Sequence, residues 1–508
     1  MPHEKNESNH LNQSQPVPPA RVLRLLLMVA LLLALVVVLV PSGSLSLSED
    51  LQLRFVSLEA LLGRQSVEYA DIQHILESHQ EASETAATPP PQPPPRKDID
   101  KLTQQLEEIE NAEALAPFFA QLKAPDKGPE LIRILHYGDS QIEGDRITGY
   151  IREQFQKEFR GCGVGLLPLY DPMPSRASAF QSSEGEWRQF VPYGKRPEDT
   201  PHHRYGVLGV IQRYGEKEPA LDDPEAPLAP VQPSPGELLQ AVARVKKSRL
   251  AFPRARSFEI LRMLSGNAPP GVRFAVRTDG EEAFSGQLET GLSLDLRSWR
   301  LAGEFKEVEI EFESEESPDL FALALDCPKG VAVDNIPLRG SSGVFVHRID
   351  VEAFGSQIEA LDGRLIIWQF GVNVIPYLTD NFDFYEGQLR RSLRLLRRAL
   401  PEVPILVVGV SDMARKGEGD FYESYPNVEG VRDAQRQAAL SAGCAFWDLF
   451  EAMGGKHSMP SWVLHEPSLA TTDFTHFNPR GARIVARMLY KALQKAQEDW
   501  AAQVKEGS

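Results

Sequence analysis

The sequence predicts an α/β protein: a three-layer α/β/α domain, interrupted by an antiparallel β-sandwich and preceded by a transmembrane helix. Three observations carry this expectation. Short apolar runs alternate with stretches of helical periodicity, which implies a parallel sheet covered on both faces. From 170 to 330 the periodicity switches to two. Every residue from Leu25 to Val40 is apolar, and with Val22 and Leu23 the run is long enough to cross a bilayer.

Composition sets the outer limits. At 508 residues the chain exceeds one ordinary core, so two or three domains are expected. Hydrophobic residues at 42% and charged residues at 25% are globular values. The formal net charge of −17 argues against nucleic acid as a partner, since phosphate binding wants a basic face. The three cysteines, Cys162, Cys327 and Cys444, contain no Cys-x-x-Cys. They supply neither a disulfide framework nor a zinc site, although one bonded pair is possible.

The N-terminal elements follow in order. Residues 1–21 form a cytoplasmic tail and 22–41 the transmembrane helix, with Arg24 able to snorkel. Lys5, Arg21 and Arg24 precede the apolar run, whereas Glu49 and Asp50 follow it. The positive-inside rule therefore anchors the chain in the inner membrane with its bulk on the far side. A cleaved signal peptide is the alternative, and both readings put the large domain outside the cytoplasm. Residues 42–97 read as a partly helical linker containing the stiff run Thr88–Pro95, a polyproline spacer. Ile99, Leu102, Leu106 and Ile109 recur at helical spacing and predict a helix over 98–125 that packs on the domain.

The α/β domain is expected over 126–169 and 331–495, with a C-terminal tail over 496–508. Leu131–Leu135 is a strand, and Ile142, Ile147, Ile151 and Phe155 mark the helix after it. Arg364–Phe370, Pro404–Gly409 and Ala445–Trp447 are further strands, and Leu389, Leu393, Leu396 and Leu400 lie on a helix. The last helix opens with Asn478 as its cap and Pro479 at its first position. Between the two halves, Val272/Phe274/Val276, Val308/Ile310/Phe312 and Phe321/Leu323/Leu325 alternate. They predict a jelly-roll-like β-sandwich inserted over 170–330.

The chemistry gathers at the ends of these elements. Gly138-Asp139-Ser140-Gln141 ends the first strand and sets a hydroxyl where the strand opens into a helix. A serine hydroxyl needs a base to take its proton, and the base works best when a carboxylate fixes its tautomer. Asp473-Phe474-Thr475-His476 supplies both helpers from one short turn. Arg339-Gly340-Ser341-Ser342-Gly343 and Gly371-Val372-Asn373 complete the set.

In this order the four motifs resemble the SGNH (GDSL-type) hydrolase superfamily, over about 131–169 and 331–495. The resemblance implies a flavodoxin-like α/β/α fold with Ser140, His476 and Asp473 as catalytic residues. It also implies an oxyanion hole from the Ser140 N–H, the Gly343 N–H and the Asn373 amide, with Gly340 as the rival to Gly343. Val374 stands where the family has Asp in its Gly-x-Asn-Asp block, which weakens the match without removing a triad member. A membrane tether with an inserted β-module is similar to the peptidoglycan O-acetylesterases and related carbohydrate esterases. The implied activity is an extracytoplasmic, periplasmic esterase acting on an acylated glycan, without a cofactor or metal. An acyltransferase with the same triad, or a glycan-binding envelope protein with an idle one, are the alternatives.

Other residues are read as structural. His136 is a packed strand residue and Asp139 braces the nucleophile turn. Ser411-Asp412-Met413 either lines the pocket or simply ends a strand. His202 and His203 are surface residues, Trp447 and Trp462 belong to the core, and Gly161–Gly165 is a junction turn.

Overall fold

A computed structural model describes residues 21, 23–24, 27–28, 44–48, 51–54, 69–79, 108–123, 131–195, 197–216, 238–417 and 421–506. The expected span over 22–41 lies almost wholly outside these residues, as do the Thr88–Pro95 spacer and residues 98–107. Among the described residues no helix is long and apolar enough to cross a membrane. The chain divides into two units, residues 1–68 with 416–423, and residues 69–415 with 424–508. In the first, Ser44–Ser48 pairs antiparallel with Leu51–Arg54.

The second unit is built on a parallel sheet of five strands: β1 (Leu131–Gly138), β2 (Gly330–Pro337), β3 (Gly363–Gln369), β4 (Ile405–Val408) and β5 (Ala445–Trp447). Their order across the sheet is β2-β1-β3-β4-β5, the flavodoxin-like arrangement. All eight residues of β1 are buried, as a central parallel strand covered on both faces requires. Leu135 and Tyr137 face a core shared with helices α2 (Val351–Ala360), α3 (Asp383–Ala399) and α4 (Val428–Ser441). His136 faces the other way, onto Thr148 of helix α1 (Thr148–Glu158). The last helix, α5 (Pro479–Glu506), packs on α1 through Tyr490 and Phe155, whose ring centroids lie 5.1 Å apart.

Two expected ends shift. The Asn478 side chain accepts from the N–H groups of Arg480 and Gly481, so it caps α5. The helix then runs through Glu506, where a tail was expected from 496, because Ala496 is buried and Trp500 packs on Phe119. Of the predicted 98–125 helix, the described residues 108–123 carry one 3-10 turn at Ala112–Leu115 and a helix at Ala116–Lys123. Glu110 instead exchanges backbone hydrogen bonds with Phe446 at 2.8 and 3.0 Å, closing the open edge of β5.

The inserted module consists of two antiparallel sheets. One orders as Glu281–Gln287, Arg273–Thr278, Glu307–Ser314, Leu239–Lys247 and Ala179–Glu184. The other orders as Asp295–Arg300, Ile260–Gly266, Asp319–Asp326, Ile211–Tyr214 and Trp187–Phe190. Phe274, Ile310 and Phe312 of the first share a core with Leu261, Met263 and Leu323 of the second. The reverse face of the second sheet, including Phe321, Ala322 and Leu264, is buried in the α/β core. The module is therefore fused to the domain by an apolar layer.

The module's limits are also displaced. Gly165–Leu167 already pairs antiparallel with Leu323–Leu325, and Gly330–Pro337 is the second parallel strand. Where the chain enters and leaves the module, Cys162 is bonded to Cys327 across 165 residues of sequence. Beside that bond the fully buried Arg133 donates to Asp334 at 2.7 Å and to Asp326 at 2.5 Å. Cys444 is free and buried.

The registers bring three strand ends abreast. Gly138 pairs in register with Pro337 on one side and Gln369 on the other. The segments that follow, 139–141, 338–343 and 370–373, thus open at one carboxyl edge, where parallel α/β sheets present their ligand sites.

Candidate active site

The turn after β1 is held by its own carboxylate. Asp139 Oδ1 accepts from the Gln141 N–H at 3.0 Å and Oδ2 from the Gly371 N–H at 3.0 Å. One side chain thereby ties the Ser140 turn to the loop after β3. Burial raises the Asp139 carboxyl to about 6, against the backbone donors of Gln141, Gly371 and Val372.

Ser140 and His476 meet across this edge. Ser140 Oγ lies 2.8 Å from His476 Nε2, and His476 Nδ1 lies 2.7 Å from Asp473 Oδ2. With its proton on Nδ1, the imidazole donates to Asp473 and accepts from the serine hydroxyl. Asp473 Oδ1 accepts from the Thr471 hydroxyl at 2.6 Å and from the N–H groups of Thr475 and His476 at 2.9 and 3.0 Å. Burial works to raise this carboxyl, but the bonds from Thr471 and His476 outweigh it and hold the group below the usual carboxylate range. The imidazole is thus oriented by a carboxylate that stays charged, the condition for proton transfer from a hydroxyl to Nε2.

Two residues that the sequence reading passed over clamp the nucleophile turn to the histidine loop. Gln141 is buried, and its Nε2 donates to the Thr475 carbonyl at 2.7 Å and to Ser411 Oγ at 3.0 Å. Arg146 donates from Nε to the Glu143 carbonyl at 2.7 Å and from Nη1 to the Phe477 carbonyl at 3.3 Å. Only their place beside Ser140 in sequence could have flagged them.

The three expected oxyanion donors sit on the converging segments. Asn373 donates from Nδ2 to the Ser341 carbonyl at 3.1 Å, which leaves the second amide hydrogen for a ligand. The Gly343 N–H is taken up by Ser341 Oγ at 3.2 Å. Gly343 has φ +78°, and a Cβ there would come within 2.8 Å of the Phe370 ring. Gly340 has the same φ with open space around it, and its N–H has no partner among the described residues. Between the two candidate loop donors, the free N–H is that of Gly340.

The remaining residues separate cleanly. His136 is fully buried between Gln369 Oε1 and Thr148 Oγ1, and burial pushes its pKa down to about 4. Asp412 accepts from the Met459 N–H at 2.8 Å, so it braces the strand end, while Ser411 reaches Gln141. His202 is not a plain surface residue: it is half-buried, with Nε2 2.6 Å from the buried Asp319. Trp447 and Trp462 lie in the core. Among the described residues no group of three or more His, Cys, Asp or Glu is placed to hold a metal.

Residues 312–484 match the sequence model of the GDSL-like Lipase/Acylhydrolase family. The matched segment contains Gly343, Asn373, Asp473 and His476, whereas Ser140 lies before it, across the inserted module. Among solved structures, a peptidoglycan O-acetylesterase superposes with a TM-score of 0.58 at 19% identity, covering 77% of this chain and 99% of that one. The acetyl xylan esterase AlAXEase covers 32% of this chain and 81% of its own at 15% identity, with a TM-score of 0.24. A family 3 carbohydrate esterase from Talaromyces cellulolyticus covers 33% and 72% at 15% identity, also with a TM-score of 0.24. No curated protein matches the chain. The fold and the matched segment together make this protein an ester hydrolase. Its α/β domain has the fold of the SGNH (GDSL-type) hydrolases, and residues 312–484 carry the sequence of their GDSL-like family.

Proposed function

We propose that the protein is an extracytoplasmic serine esterase that removes O-acetyl or other short acyl groups from a glycan such as peptidoglycan. The observation that carries the mechanism is the chain of contacts from Ser140 Oγ through His476 to Asp473, at 2.8 and 2.7 Å. Ser140 Oγ attacks the ester carbonyl carbon while His476 Nε2 takes its proton. The oxyanion is met by the Ser140 N–H, the Asn373 amide and a glycine N–H of the 340–343 loop. Collapse of the adduct expels the sugar hydroxyl, which leaves with the proton from His476. Water then repeats the sequence on the acyl-enzyme and releases the carboxylic acid.

Two observations support the setting. The Cys162–Cys327 bond suits an oxidising compartment outside the cytoplasm, and so does the apolar run at 25–40 behind basic residues. The glycan reading is supported by the named activity of the structural neighbour that spans three quarters of the chain.

The test uses the soluble chain from about residue 97, with p-nitrophenyl acetate and O-acetylated peptidoglycan as substrates. Turnover of both, lost in Ser140→Ala, is the expected result. Turnover unaffected by the substitution would remove the nucleophile assignment. Acetyl transfer to added oligosaccharide in excess of hydrolysis would make the protein an acyltransferase.

A further inference from the structure

A small cavity of about 60 Å³ lies between the inserted module and the carboxyl end of β2. Asp171, Arg176 and Tyr193 of the module form one wall, and Asn335, Leu338 and Arg339 form the other. Its place beside the nucleophile turn is fixed by two contacts. The Leu338 N–H donates to the Gly138 carbonyl at 2.7 Å, two residues before Ser140. Arg339 Nε lies 3.1 Å from a Glu143 carboxylate oxygen, three residues after it.

Arg176 is the unusual member. It is only 9% exposed, yet it makes a single hydrogen bond, from Nη2 to the Asn335 carbonyl at 3.0 Å. Among the described residues its Nη1 has no partner, and neither has the buried Asn335 Oδ1 of the other wall. The acidic groups around it are engaged by other cations. Arg152 binds Asp145 through two hydrogen bonds at 2.5 and 3.0 Å, and Arg133 binds Asp334 at 2.7 Å. Asp171, the carboxylate on the wall, accepts from the Met173 N–H and sits 3.7 Å from Arg339. An arginine keeps its charge even when buried, so a guanidinium stripped of water without an ion-pair partner is costly unless something supplies one. Tyr193 stays a neutral donor on the same wall, since burial pushes its hydroxyl up to about 12.

We propose that this cavity receives a carboxylate carried by the acylated glycan, so that the enzyme prefers polymers with an acidic sugar or sugar ether next to the esterified hydroxyl. The proposal rests on the glycan-esterase reading above and names its substrate class. The volume suits a carboxylate-sized substituent and excludes a whole sugar ring, since it equals about two water volumes. A planar carboxylate would take Arg176 Nη1 and the Tyr193 hydroxyl together. The ring bearing it would lie outside, toward Ser140.

The experiment compares the wild-type chain with Arg176→Gln and Tyr193→Phe on three substrates: p-nitrophenyl acetate, an acetylated neutral glycan (acetyl xylan) and an acetylated acidic glycan (acetylated polygalacturonate). Arg176→Gln is expected to raise KM for the acidic glycan about ten- to a hundredfold with kcat little changed. The other two substrates should keep their kcat/KM within about twofold. Tyr193→Phe, which preserves shape, should show the same selective change at smaller size and decides the matter if Arg176→Gln fails to fold. Galacturonate should inhibit the wild type and galactose should not. Equal losses on all three substrates, or none on any, would overturn the proposal. So would inorganic phosphate inhibiting as well as galacturonate, which would mark a free-anion site. If the wild type turns over none of the esters, the esterase reading is what has failed. Calorimetric binding of galacturonate oligomers to wild type and Arg176→Gln then tests the cavity alone, and equal affinities would refute it.

Discussion

Ser140 Oγ and His476 Nε2 stand 2.8 Å apart although 336 residues separate them in the chain. The hydroxyl is delivered by the end of β1 and the imidazole by the loop before α5, and Gln141 bonds the two segments directly through the Thr475 carbonyl. If this pair is the reacting one, Ser140→Ala should cut kcat on an acetyl ester by about 10⁴-fold or more. Asp473→Asn should cut it by roughly 10²- to 10⁴-fold, since the amide no longer holds the Nδ1 tautomer. Neither change should move the thermal unfolding midpoint appreciably, and steady-state kinetics beside a melting curve checks both statements.

Gln141 is expected to act through geometry. Gln141→Leu keeps the volume but removes the bonds to Thr475 and Ser411. A displacement of the histidine loop by even 1 Å costs about 10²-fold, so kcat should fall ten- to a hundredfold with KM nearly constant. Kinetics taken well below the melting temperature separate this from simple destabilisation. An unchanged kcat with a lowered midpoint would mean that Gln141 only holds the fold.

The oxyanion side makes a separate prediction. Asn373→Ala should lower kcat by about 10²- to 10³-fold. Gly343→Ala places a methyl against the Phe370 ring and should damage folding, whereas Gly340→Ala has room and should fold. Exchanging the Gly340 amide for a backbone ester keeps the positive φ and removes only the N–H, so a folded chain that loses turnover on this exchange would identify Gly340 as the loop donor. Retained turnover would return that role to Gly343.

A pH effect on stability follows from Asp412, whose carboxyl burial raises to about 6 against bonds from Ser424, Met459 and Met413. Its folded pKa exceeds the unfolded value of about 4, so the folded state binds the proton more tightly. The stabilisation is therefore complete below about pH 4 and lost as pH rises through about 6. Between pH 7 and pH 5 the wild type should gain about 1 kcal/mol relative to Asp412→Asn. Denaturant melts at the two pH values measure that difference, and no change in it would show that Asp412 is not the group concerned.

Opening the Cys162–Cys327 bond frees both ends of the inserted module from their covalent tie. The paired substitution Cys162→Ala with Cys327→Ala should cost about 2–5 kcal/mol, as expected for releasing a long loop in the unfolded chain. Chemical denaturation of the reduced and oxidised protein gives the same comparison without mutation.

How much of this was legible before folding depends on the element. β4 is a continuous apolar run, and β1 and β3 keep apolar stretches (Ile134–Leu135, Leu365–Trp368) bounded by turn residues, so all three were readable. β2 was not singled out, since Asp334 and Asn335 interrupt its apolar pattern. Both are buried: Arg133 and the Leu166 N–H donate to Asp334 Oδ1, while Asn335 donates to the Ile142 carbonyl and Thr148 Oγ1. Partners so distant in sequence leave no local signal. His202 was misjudged for the same reason, its partner Asp319 lying 117 residues away.

Sequence by itself determined the chemical groups and their order: a serine after a strand, an asparagine loop, an Asp-x-x-His turn, and a period-two block between them. Those are local patterns, set by backbone periodicity and turn chemistry. Only the tertiary structure decided what they meet. Parallel register set Gly138, Pro337 and Gln369 abreast, the insertion was closed at its neck by Cys162 and Cys327, and Arg176 was buried beside the turn with no counter-ion among the described residues. Hydrogen bonds and ion pairs act over a few ångströms of space, however far apart their residues lie along the chain.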